Sequence, residues 1–523
     1  MRSLATLAAA LAFALDFALA PPAATAADLR IALAADVTSM DPHFVNLQPN
    51  NLVAWHVFDA LTRLDDNARL VPGLAESWKA VDATTWEFKL KRGVRFHDGS
   101  ELTAEDVVYS LDRPTTIVNS PGSFVPFTRP IVAKQIVDRY TVRLKTAGPY
   151  AMVPYDVNSV FILSKRAAAG VRPEEFNQGK GVIGTGPYYF VAFKRGDRVE
   201  LARHDQYAGP RPAWDKVTLR IITNDPARIA ALLAGDVDAI EQVPTADLAK
   251  LRGNAGFQVA QKVSWRTIFL HLDQFRDRVP GITDKSGRPL DRNPFKDARV
   301  RKAVSMAINR PAIVERVMEG AAVPASNLVA PTVFGHAAAL KPEPFDADGA
   351  KKLLAEAGFP NGFSAVLNAP NNRYVNDERI AQALAQMLTR VGITTRVETS
   401  PANVYFVKAR NQEFGLAMLG WGSFSGDLAL RSLVATFDAE RGFGTWNWGR
   451  YSNARLDGLV IQALATLDAG KREGIAREAM TMGMQDHAVI PLHHQMTSWA
   501  MRKALGYTAR TDELTLAYQF RAQ

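Results

Sequence analysis

Apolar positions recur with two different periods along the chain, which predicts a protein of mixed helices and strands. Residues 84–90 alternate with period two, so that Trp86, Phe88 and Leu90 share one face of a predicted strand. The short apolar run 29–33 predicts an earlier strand near the start of the chain.

Other segments have the helical period. Two apolar stripes have helical spacing: Val300, Ala303, Val304, Ala307 and Ile308, and then Ile380, Leu384, Met387, Leu388 and Val391. Gly392 follows the second stripe in the position favoured after a helix end, and residues 394–398 predict a strand directly after it. The segment 228–243 repeats this order around Gly235. A helix, a glycine and a strand in succession are typical of α/β proteins.

Caps and breakers divide the chain between these elements. An acidic capping box at residues 103–106 predicts a helix through Leu111, which Pro114 ends. The apolar run 267–272 predicts a strand that leads into the polar loop Asp277–Asn293. A strand that enters such a loop in mid-chain suggests a crossing between two lobes.

Composition excludes several kinds of chemistry. The chain has 523 residues, enough for two to four domains, with 47% hydrophobic residues and a net charge of +9. It contains no cysteine, which excludes disulfides, thiolate metal sites and thiol nucleophiles. Lys and Arg form no run of five or more, so the charge does not predict nucleic-acid binding.

Residues 1–26 have the pattern of a secretory signal. Arg2 precedes the apolar run 4–20, and a small-x-small site predicts cleavage after Ala26. A membrane anchor is the alternative, but the run is short, contains Asp16 and ends in two prolines. The pattern therefore predicts a protein that is exported and soluble once this segment is removed.

Motifs of common enzyme sites are absent from the sequence. Residues 422–426 have Phe at the centre of what would otherwise resemble a nucleophile elbow, and residues 184–186 lack the third glycine of a dinucleotide site. His487, His493 and His494 are the one local group of histidines, and both a metal site and ordinary histidines stay open as interpretations. No catalytic residue, metal or cofactor is expected.

Short motifs in a fixed order carry a family resemblance. They are Asp41–His43, Leu74–Trp78, Trp86–Leu90, Lys91–Gly99, Leu102–Val107, Gly184–Tyr188, Asn293–Phe295, Asp297–Arg301, Ala350–Gly358, Gly420–Trp421 and Tyr451–Asn453. This pattern resembles the extracytoplasmic solute-binding proteins of family 5, the oligopeptide, dipeptide and nickel binders of ABC importers. The stretch 86–107 is the most specific, and the motifs extend over nearly the whole chain after residue 36.

The resemblance implies an α/β fold of periplasmic-binding-protein type, with two lobes around a ligand cleft and an extra domain in the first lobe. The expected division is 27–57, 183–268 and 487–523 for the first lobe, 58–182 for the extra domain and 269–486 for the second lobe. It also implies a monomer that delivers a small solute to the permease and ATPase subunits of an importer. Within the motifs, Gly99, Gly184, Gly186 and Gly235 are predicted to serve turns that need a permissive backbone.

The resemblance also points to the ligand-facing part of the second lobe. In peptide-binding members an Asp three residues after the Gly-Trp pair binds the free α-amine of the ligand. Here Trp421 is followed by Gly422, Ser423 and Phe424, so Phe424 occupies that position. Asp427 lies a turn further on, and it is either a substitute partner for an amine or a turn residue.

Two further groups are candidate ligand contacts. One is an aromatic cluster with an amide, Trp446, Asn447, Trp448 and Tyr451. These residues either enclose a ligand or fill the core of the second lobe. The other group is Arg373 and Tyr374, in a loop before the helix that contains Ile380. Arg373 either takes a ligand carboxylate in a bidentate pair or lies solvated at the surface.

The sequence therefore predicts a periplasmic substrate-binding protein of an ABC importer that captures a peptide or peptide-like solute between two lobes. Opines, amino-acid conjugates and metal chelates are alternative ligands, because Phe424 departs from the peptide-binding pattern. A secreted hydrolase and a sensor or chaperone-like binder with the same fold are the alternatives from other functional classes.

Overall fold

A mixed sheet of twelve strands runs through residues 27–523, the part of the chain that the structure, a computed structural model, describes. The predicted signal segment 1–26 lies outside the described residues. The strands, in chain order, are β1 (Asp28–Leu33), β2 (Thr62–Leu64), β3 (Leu70–Pro72), β4 (Ala75–Asp82), β5 (Thr85–Leu90), β6 (Ile131–Asp138), β7 (Thr141–Thr146), β8 (Tyr188–Lys194), β9 (Arg198–Arg203), β10 (Lys216–Ile221), β11 (Ala239–Glu241), β12 (Phe257–Leu272), β13 (Ile282–Thr283), β14 (Ala322–Pro324), β15 (Phe363–Pro370), β16 (Ile393–Ser400), β17 (Leu416–Gly422), β18 (Ile490–Arg502), β19 (Leu505–Tyr507) and β20 (Phe520–Ala522). The α-helices are α1 (Gln48–Val57), α2 (Ala104–Asp112), α3 (Val125–Thr128), α4 (Val153–Asp156), α5 (Lys165–Ala168), α6 (Pro173–Phe176), α7 (Asp225–Ala234), α8 (Thr245–Gly253), α9 (Ala298–Met306), α10 (Arg310–Ala312), α11 (Ala347–Glu356), α12 (Asp377–Arg390), α13 (Ala402–Arg410), α14 (Gly426–Leu433), α15 (Ala454–Ala465) and α16 (Ala469–Gln485).

The long strands β12 and β18 lie side by side at the centre of this sheet and join its two halves. On one side the order continues through β11, β1, β10, β9 and β8, and on the other through β17, β15 and β13. The antiparallel register of β12 and β18 shifts between Val263 and Thr267. Such an irregularity bends a strand and increases its twist, so the pair changes direction where the sheet passes from one half to the other.

The strand and helix predicted from residues 84–111 are confirmed. In β5 the side chains of Trp86, Phe88 and Leu90 are all buried in one apolar cluster. The helix α2 begins after Thr103, whose backbone N–H donates to Asp106 Oδ2 at 3.0 Å. A separate four-stranded sheet in the order β4, β5, β7, β6 carries this cluster on one face.

The two helical stripes are confirmed with shifted ends. The helix α9 ends at Met306, so Ala307 and Ile308 of the first stripe lie just beyond it, although both are fully buried. The second stripe lies on α12 except for Val391, which follows the last helical residue, and β16 begins after Gly392, whose φ is +101°. The unit around Gly235 is also confirmed, with a φ of +82° at the glycine.

Two of the four motif glycines serve a close approach rather than a turn. Gly99 has a φ of +80° and Gly235 one of +82°, as predicted for turns. At Gly184, however, an added Cβ would lie 1.9 Å from the backbone oxygen of Val57, and at Gly186 it would lie 2.6 Å from the Val57 carbonyl carbon. These glycines allow the chain to pass directly against the end of α1.

Separate apolar cores support the three parts of the molecule. One packs around β1, β10 and α1, a second fills the space between α2 and the four-stranded sheet, and two more lie on the second-lobe half of the large sheet. None of the helices in the described part of the chain has both the length and the apolar character that a membrane crossing requires.

Candidate ligand-binding site

A cavity of about 310 Å³ lies where the three parts of the molecule meet. This volume is near the lower end of the range for small-molecule sites. Residues from both sides of the large sheet and from the extra domain line it: Asn46, Gln48, Asn51, Trp55, Arg63, Leu64, Phe127, Asn158, Ser159, Phe161, Trp265, Trp421, Gly422, Phe424, Leu428, Arg510, Asp512, Leu514, Leu516 and Tyr518. Aromatic side chains and short amides dominate this wall, which suits a solute with both apolar and amide groups.

The charged groups of the wall are two guanidinium groups and one carboxylate. Nη1 of Arg63 lies 3.1 Å from Asp59 Oδ1. Nε of Arg510 donates to Asp512 Oδ1 at 2.8 Å. Among the described residues that line the cavity, Asp512 is the only acidic one. Since its carboxylate already accepts from Arg510, this wall offers no free carboxylate to a ligand ammonium.

Trp421 lies at the end of β17 and contributes its indole ring to the cavity wall. Its ring centroid is 5.0 Å from that of Trp446, which lies behind it. The Trp421 Nε1 atom is buried and has no hydrogen-bond partner among residues 27–523. A buried indole N–H usually has a partner, so this donor is available to an acceptor on a ligand.

Phe424 also lines the cavity, and its ring stacks on Tyr155 of the extra domain. The two centroids are 5.3 Å apart and the planes are inclined by 6°. The neighbouring Ser423 is buried instead, and its hydroxyl donates to the backbone oxygen of Ser425 at 2.8 Å. Ser423 therefore shapes the turn into α14 and does not line the cavity.

Asp427 points away from the cavity. It is fully buried, and its Oδ2 lies 3.3 Å from Nε of Arg472 on α16. Its other oxygen accepts from the backbone N–H of Leu428 at 3.0 Å. In this arrangement Asp427 is the partner of a protein guanidinium, and neither of the two roles considered from the sequence describes that contact.

The loop after α14 packs into the core of the second lobe. Nδ2 of Asn447 donates to the backbone oxygens of Ala435 and Tyr451, at 3.0 and 2.8 Å. The side chains of Trp448 and Tyr451 are 8% and 4% exposed within an apolar cluster. Burial raises the pKa of Tyr451. Of this group, Trp446 alone contacts a ring that lines the cavity.

Arg373 and Tyr374 lie in the loop between β15 and α12. The Tyr374 hydroxyl donates to the backbone oxygen of Gly420 at 3.0 Å, which fixes the loop against β17. The packing of protein atoms and the positive charge of Arg266 lower the pKa of Arg373, while Glu513 and other groups oppose the shift. Within residues 27–523 no carboxylate lies within 4.0 Å of the Arg373 guanidinium. Arg373 is thus an exposed cation without a close counter-ion, and neither Arg373 nor Tyr374 lines the cavity.

A buried ion pair lies beside Arg373 and links the crossing strand to the end of the chain. Nη2 of Arg266 in β12 lies 2.7 Å from Glu513 Oε2. Burial opposes the charged form of both groups, but the pairing outweighs it, so the pKa of Arg266 is raised and that of Glu513 is lowered. The backbone oxygen of Glu513 accepts from the side chain of Gln48 at 2.8 Å, and Gln48 lines the cavity. Glu513 also acts on Arg373 from a longer distance, as does Asp377, whose Oδ2 accepts from the backbone N–H of Arg373 at 2.8 Å.

The three clustered histidines do not line the cavity. His493 and His494 are buried on β18, where burial lowers their pKa values to about 4 and about 3. Nδ1 of His494 lies 2.9 Å from the hydroxyl of Thr267, and Nε2 of His487 lies 3.2 Å from Glu343 Oε2. Residues 27–523 contain no group of three or more His, Asp or Glu side chains placed to hold a metal ion.

Sequence reasoning missed the wall contributed by the first lobe and the extra domain. Trp55 lies on α1, Arg63 on β2, and Asn158 and Phe161 follow α4. The one local indication was the polar segment around Arg510, which interrupts an otherwise apolar chain end. Polar residues in a connecting segment are frequent binding residues. The spacing of apolar residues along the chain, however, does not show whether such side chains face the cavity.

Comparison with known proteins identifies the family of this chain. The family described as bacterial extracellular solute-binding proteins, family 5 Middle, matches residues 69–433. The chain belongs to this family. Its resemblance to the solute-binding proteins of family 5 is thereby confirmed over most of the length, including the specific stretch 86–107.

Curated relatives and solved structures agree with this assignment. The glutathione-binding protein GsiB of Escherichia coli (strain K12) is 29% identical over 481 residues, which cover 89% of each chain. The structure of the periplasmic binding protein DppA from Helicobacter pylori, in complex with the peptide STSA, has a TM-score of 0.78 at 24% identity and covers 95% of this chain and 98% of that one. AgaA from A. tumefaciens R10, in complex with agropinic acid, has a TM-score of 0.75 at 22% identity, with 95% and 99% covered. The bilobal α/β fold of periplasmic binding proteins is confirmed, and the family is one of binding proteins.

Proposed function

We propose that this protein is the substrate-binding component of an ABC importer and captures a peptide or peptide-like solute in the cavity between its lobes. The single observation that carries this proposal is the cavity itself, because both lobes and the extra domain contribute to one wall. A ligand there touches every part that moves on closure, and such contacts stabilise a closed form.

The charges around the cavity support a ligand with a carboxylate. Arg373 lacks a close counter-ion, and the negative charge of Glu513 acts on both Arg373 and Arg266. A carboxylate placed between these guanidinium groups would gain charge-assisted hydrogen bonds at low desolvation cost to the protein. The unpartnered Trp421 Nε1 supplies a further donor for a carbonyl or carboxylate oxygen.

Family membership supports the proposed location and delivery step. Members of this family are extracellular binding proteins. We infer that residues 1–26 direct export and are removed after Ala26, so that the functional form begins at Ala27 and acts as a monomer in the periplasm. Its partners would be the permease and ATPase subunits of the importer, which read the closed form. No cofactor, nucleic acid or catalytic residue is part of this proposal.

A second class of ligand has a specific observation in its favour. Phe424 replaces the carboxylate that peptide binders are expected to use for a free amine, and Asp427 is already paired with Arg472. A buried ammonium without a partner is costly. Opines, other amino-acid conjugates, blocked peptides and metal chelates avoid that cost and are the alternative to free peptides.

The proposal is tested by thermal unfolding of residues 27–523 with a solute panel. The panel contains di- to pentapeptides, N-blocked peptides, glutathione, opines, and nickel with and without histidine. A ligand at 100 times its Kd should add about 2.7 kcal/mol to the free energy of unfolding. A response to free but not to blocked peptides would favour an amine site, and a response only to opines, blocked peptides or metal chelates would favour the second class.

Two arginine variants provide the control for the site. Arg373→Ala should lose the response to the best solute of the panel, whereas Arg396→Ala, on the same lobe and 67% exposed, should keep it. Equal responses of the two variants would remove Arg373 from the site. An absence of response to every solute would count against a peptide-like ligand and favour the sensor or chaperone-like role.

A further inference from the structure

The segment 150–156 of the extra domain packs directly against the second lobe, next to the cavity. The side chain of Met152 is 1% exposed and belongs to the apolar cluster between α14, α15 and α16. Tyr150 packs against this cluster and also against the core of the extra domain. The N–H of Ala151 donates to the backbone oxygen of Leu464 at 2.7 Å. The two domains therefore share both a core side chain and a backbone hydrogen bond.

Arg472 of α16 is the central side chain of this contact. It is 4% exposed, and its Nη1 donates to the backbone oxygen of Ala151 at 3.2 Å. Its guanidinium lies 5.2 Å from the ring centroid of Tyr155 and 4.3 Å from that of Phe334. Asp427 balances its charge from within the second lobe, at 3.3 Å. Asp427 thus positions Arg472 for contact with the extra domain.

The stack of Tyr155 on Phe424 connects the contact to the cavity. Tyr155 comes from the extra domain, whereas Phe424 comes from the second lobe and lines the cavity. Near-parallel rings at a centroid distance of 5.3 Å have the geometry of a favourable offset stack. A residue of the cavity wall is therefore held in place by a side chain from the opposite domain, through protein atoms alone.

We propose that the segment 150–156, with Tyr155 and Arg472 at its centre, is a latch that holds the cleft closed in the absence of a ligand. Every contact of the latch is made between protein atoms, so it stabilises the closed form whether the cavity is filled or empty. The apparent affinity for a ligand falls when only a small fraction of the protein is in the form that binds it. A protein that is already mostly closed avoids this loss. The latch would therefore raise the affinity for any solute that enters, independently of the identity of that solute.

The chain offers a clean way to measure closure, because it contains no cysteine. Val132→Cys in the extra domain and Val407→Cys in the second lobe introduce two attachment sites for spin labels, at side chains that are 60% and 54% exposed. The protein is unfolded in guanidinium and refolded to remove co-purified solute. Pulsed electron paramagnetic resonance then gives the distribution of distances between the two labels without any ligand.

The ligand-free protein is expected to show one narrow distance population. Tyr155→Ala in the same background should add a second, longer-distance population and raise the ratio of open to closed forms about tenfold, since an aromatic stack and a cation–π contact are lost together. Tyr155→Phe keeps both rings and should behave as the parent protein. Tyr140→Ala, at another half-buried tyrosine of the extra domain that contacts Arg92, should leave the distribution unchanged.

Two results would overturn the latch. One is a ligand-free parent protein that already shows mainly the longer distance. The other is a Tyr155→Ala distribution that equals that of Tyr140→Ala. Circular dichroism shows whether each variant has refolded. If Tyr155→Ala has not, Phe424→Leu removes the same stack from the second lobe. Its distance distribution is then compared with that of Tyr140→Ala in the same way.

Discussion

The carboxylate of Asp427 lies 3.3 Å from Nε of Arg472, and both side chains are almost completely buried. The pair joins the beginning of α14 to α16, far from solvent that would screen it. In such a place each charge depends on the other, because an isolated buried charge is strongly unfavourable. The pair therefore links the stability of the second lobe to its contact with the extra domain.

Removal of one member of this pair should be costly. We expect Asp427→Ala to lower the free energy of unfolding by about 3–5 kcal/mol, because Arg472 is left buried without a counter-charge. Urea unfolding measures the change. Asp427→Ala combined with Arg472→Met should recover a large part of the loss. Asp348→Ala removes an exposed pair with Lys351 and should change stability by less than about 1 kcal/mol. Parental stability of Asp427→Ala would contradict the pairing.

The contribution of Asp156 to the free energy of unfolding should decline as the pH rises. Burial raises the pKa of Asp156 to about 7, although Arg431 acts in the opposite direction. An unfolded Asp has a pKa of about 3.9, so the folded state binds more protons between the two values. The stabilising contribution of this raised pKa is full below about pH 4 and is lost as the pH rises through about 7.

The variant Asp156→Asn isolates this effect. Its free energy of unfolding, relative to the parent protein, should increase by up to a few kcal/mol between about pH 4 and about pH 8. Urea unfolding at both pH values, for both proteins, gives the comparison. A difference between variant and parent that does not depend on pH would show that Asp156 has an ordinary pKa.

Buried histidines act in the opposite sense at low pH. Burial lowers the pKa of His493 to about 4, and both of its ring nitrogens lack a partner among the described residues. An unfolded histidine has a pKa of about 6.5, so the contribution of His493 to stability is full above that value and is lost as the pH falls toward 4. His493→Leu should therefore make unfolding less sensitive to acid between about pH 6.5 and about pH 4. An unchanged acid dependence in urea unfolding would contradict the lowered pKa.

Gly184 should tolerate no side chain. An added Cβ would lie 1.9 Å from the backbone oxygen of Val57, so Gly184→Ala must displace the end of α1. We expect a loss of more than about 2 kcal/mol in the free energy of unfolding. The matched control is Gly458→Ala, inside α15 with nothing within 4 Å of the new Cβ, which should stabilise the protein by about 0.5–1 kcal/mol. Similar losses for the two variants would contradict this account.

The sequence predicted most of what depends on local pattern. The strand β5, the helix α12 and the glycine after it were visible because period, caps and breakers act over a few residues. The wall formed by Trp55, Arg63 and Arg510 was not visible, since three distant parts of the chain meet there.

Asp427 illustrates the same limit at a single residue. From its neighbours it has the pattern of a turn residue near a helix start, and α14 does begin at Gly426. Its charge partner Arg472 lies on another helix, and only the packing of α14 against α16 brings the two together. Local sequence predicts the position of such a carboxylate, but the direction in which it points depends on the tertiary structure.

The pairing of β12 with β18 has a consequence for the order of events during synthesis. More than two hundred residues separate these neighbours, and β11 also pairs with β18. The first lobe therefore cannot complete its sheet until Ile490–Arg502 has left the ribosome. Pairings this far apart in sequence form slowly. The nascent chain consequently stays without its native first lobe for almost the whole of translation.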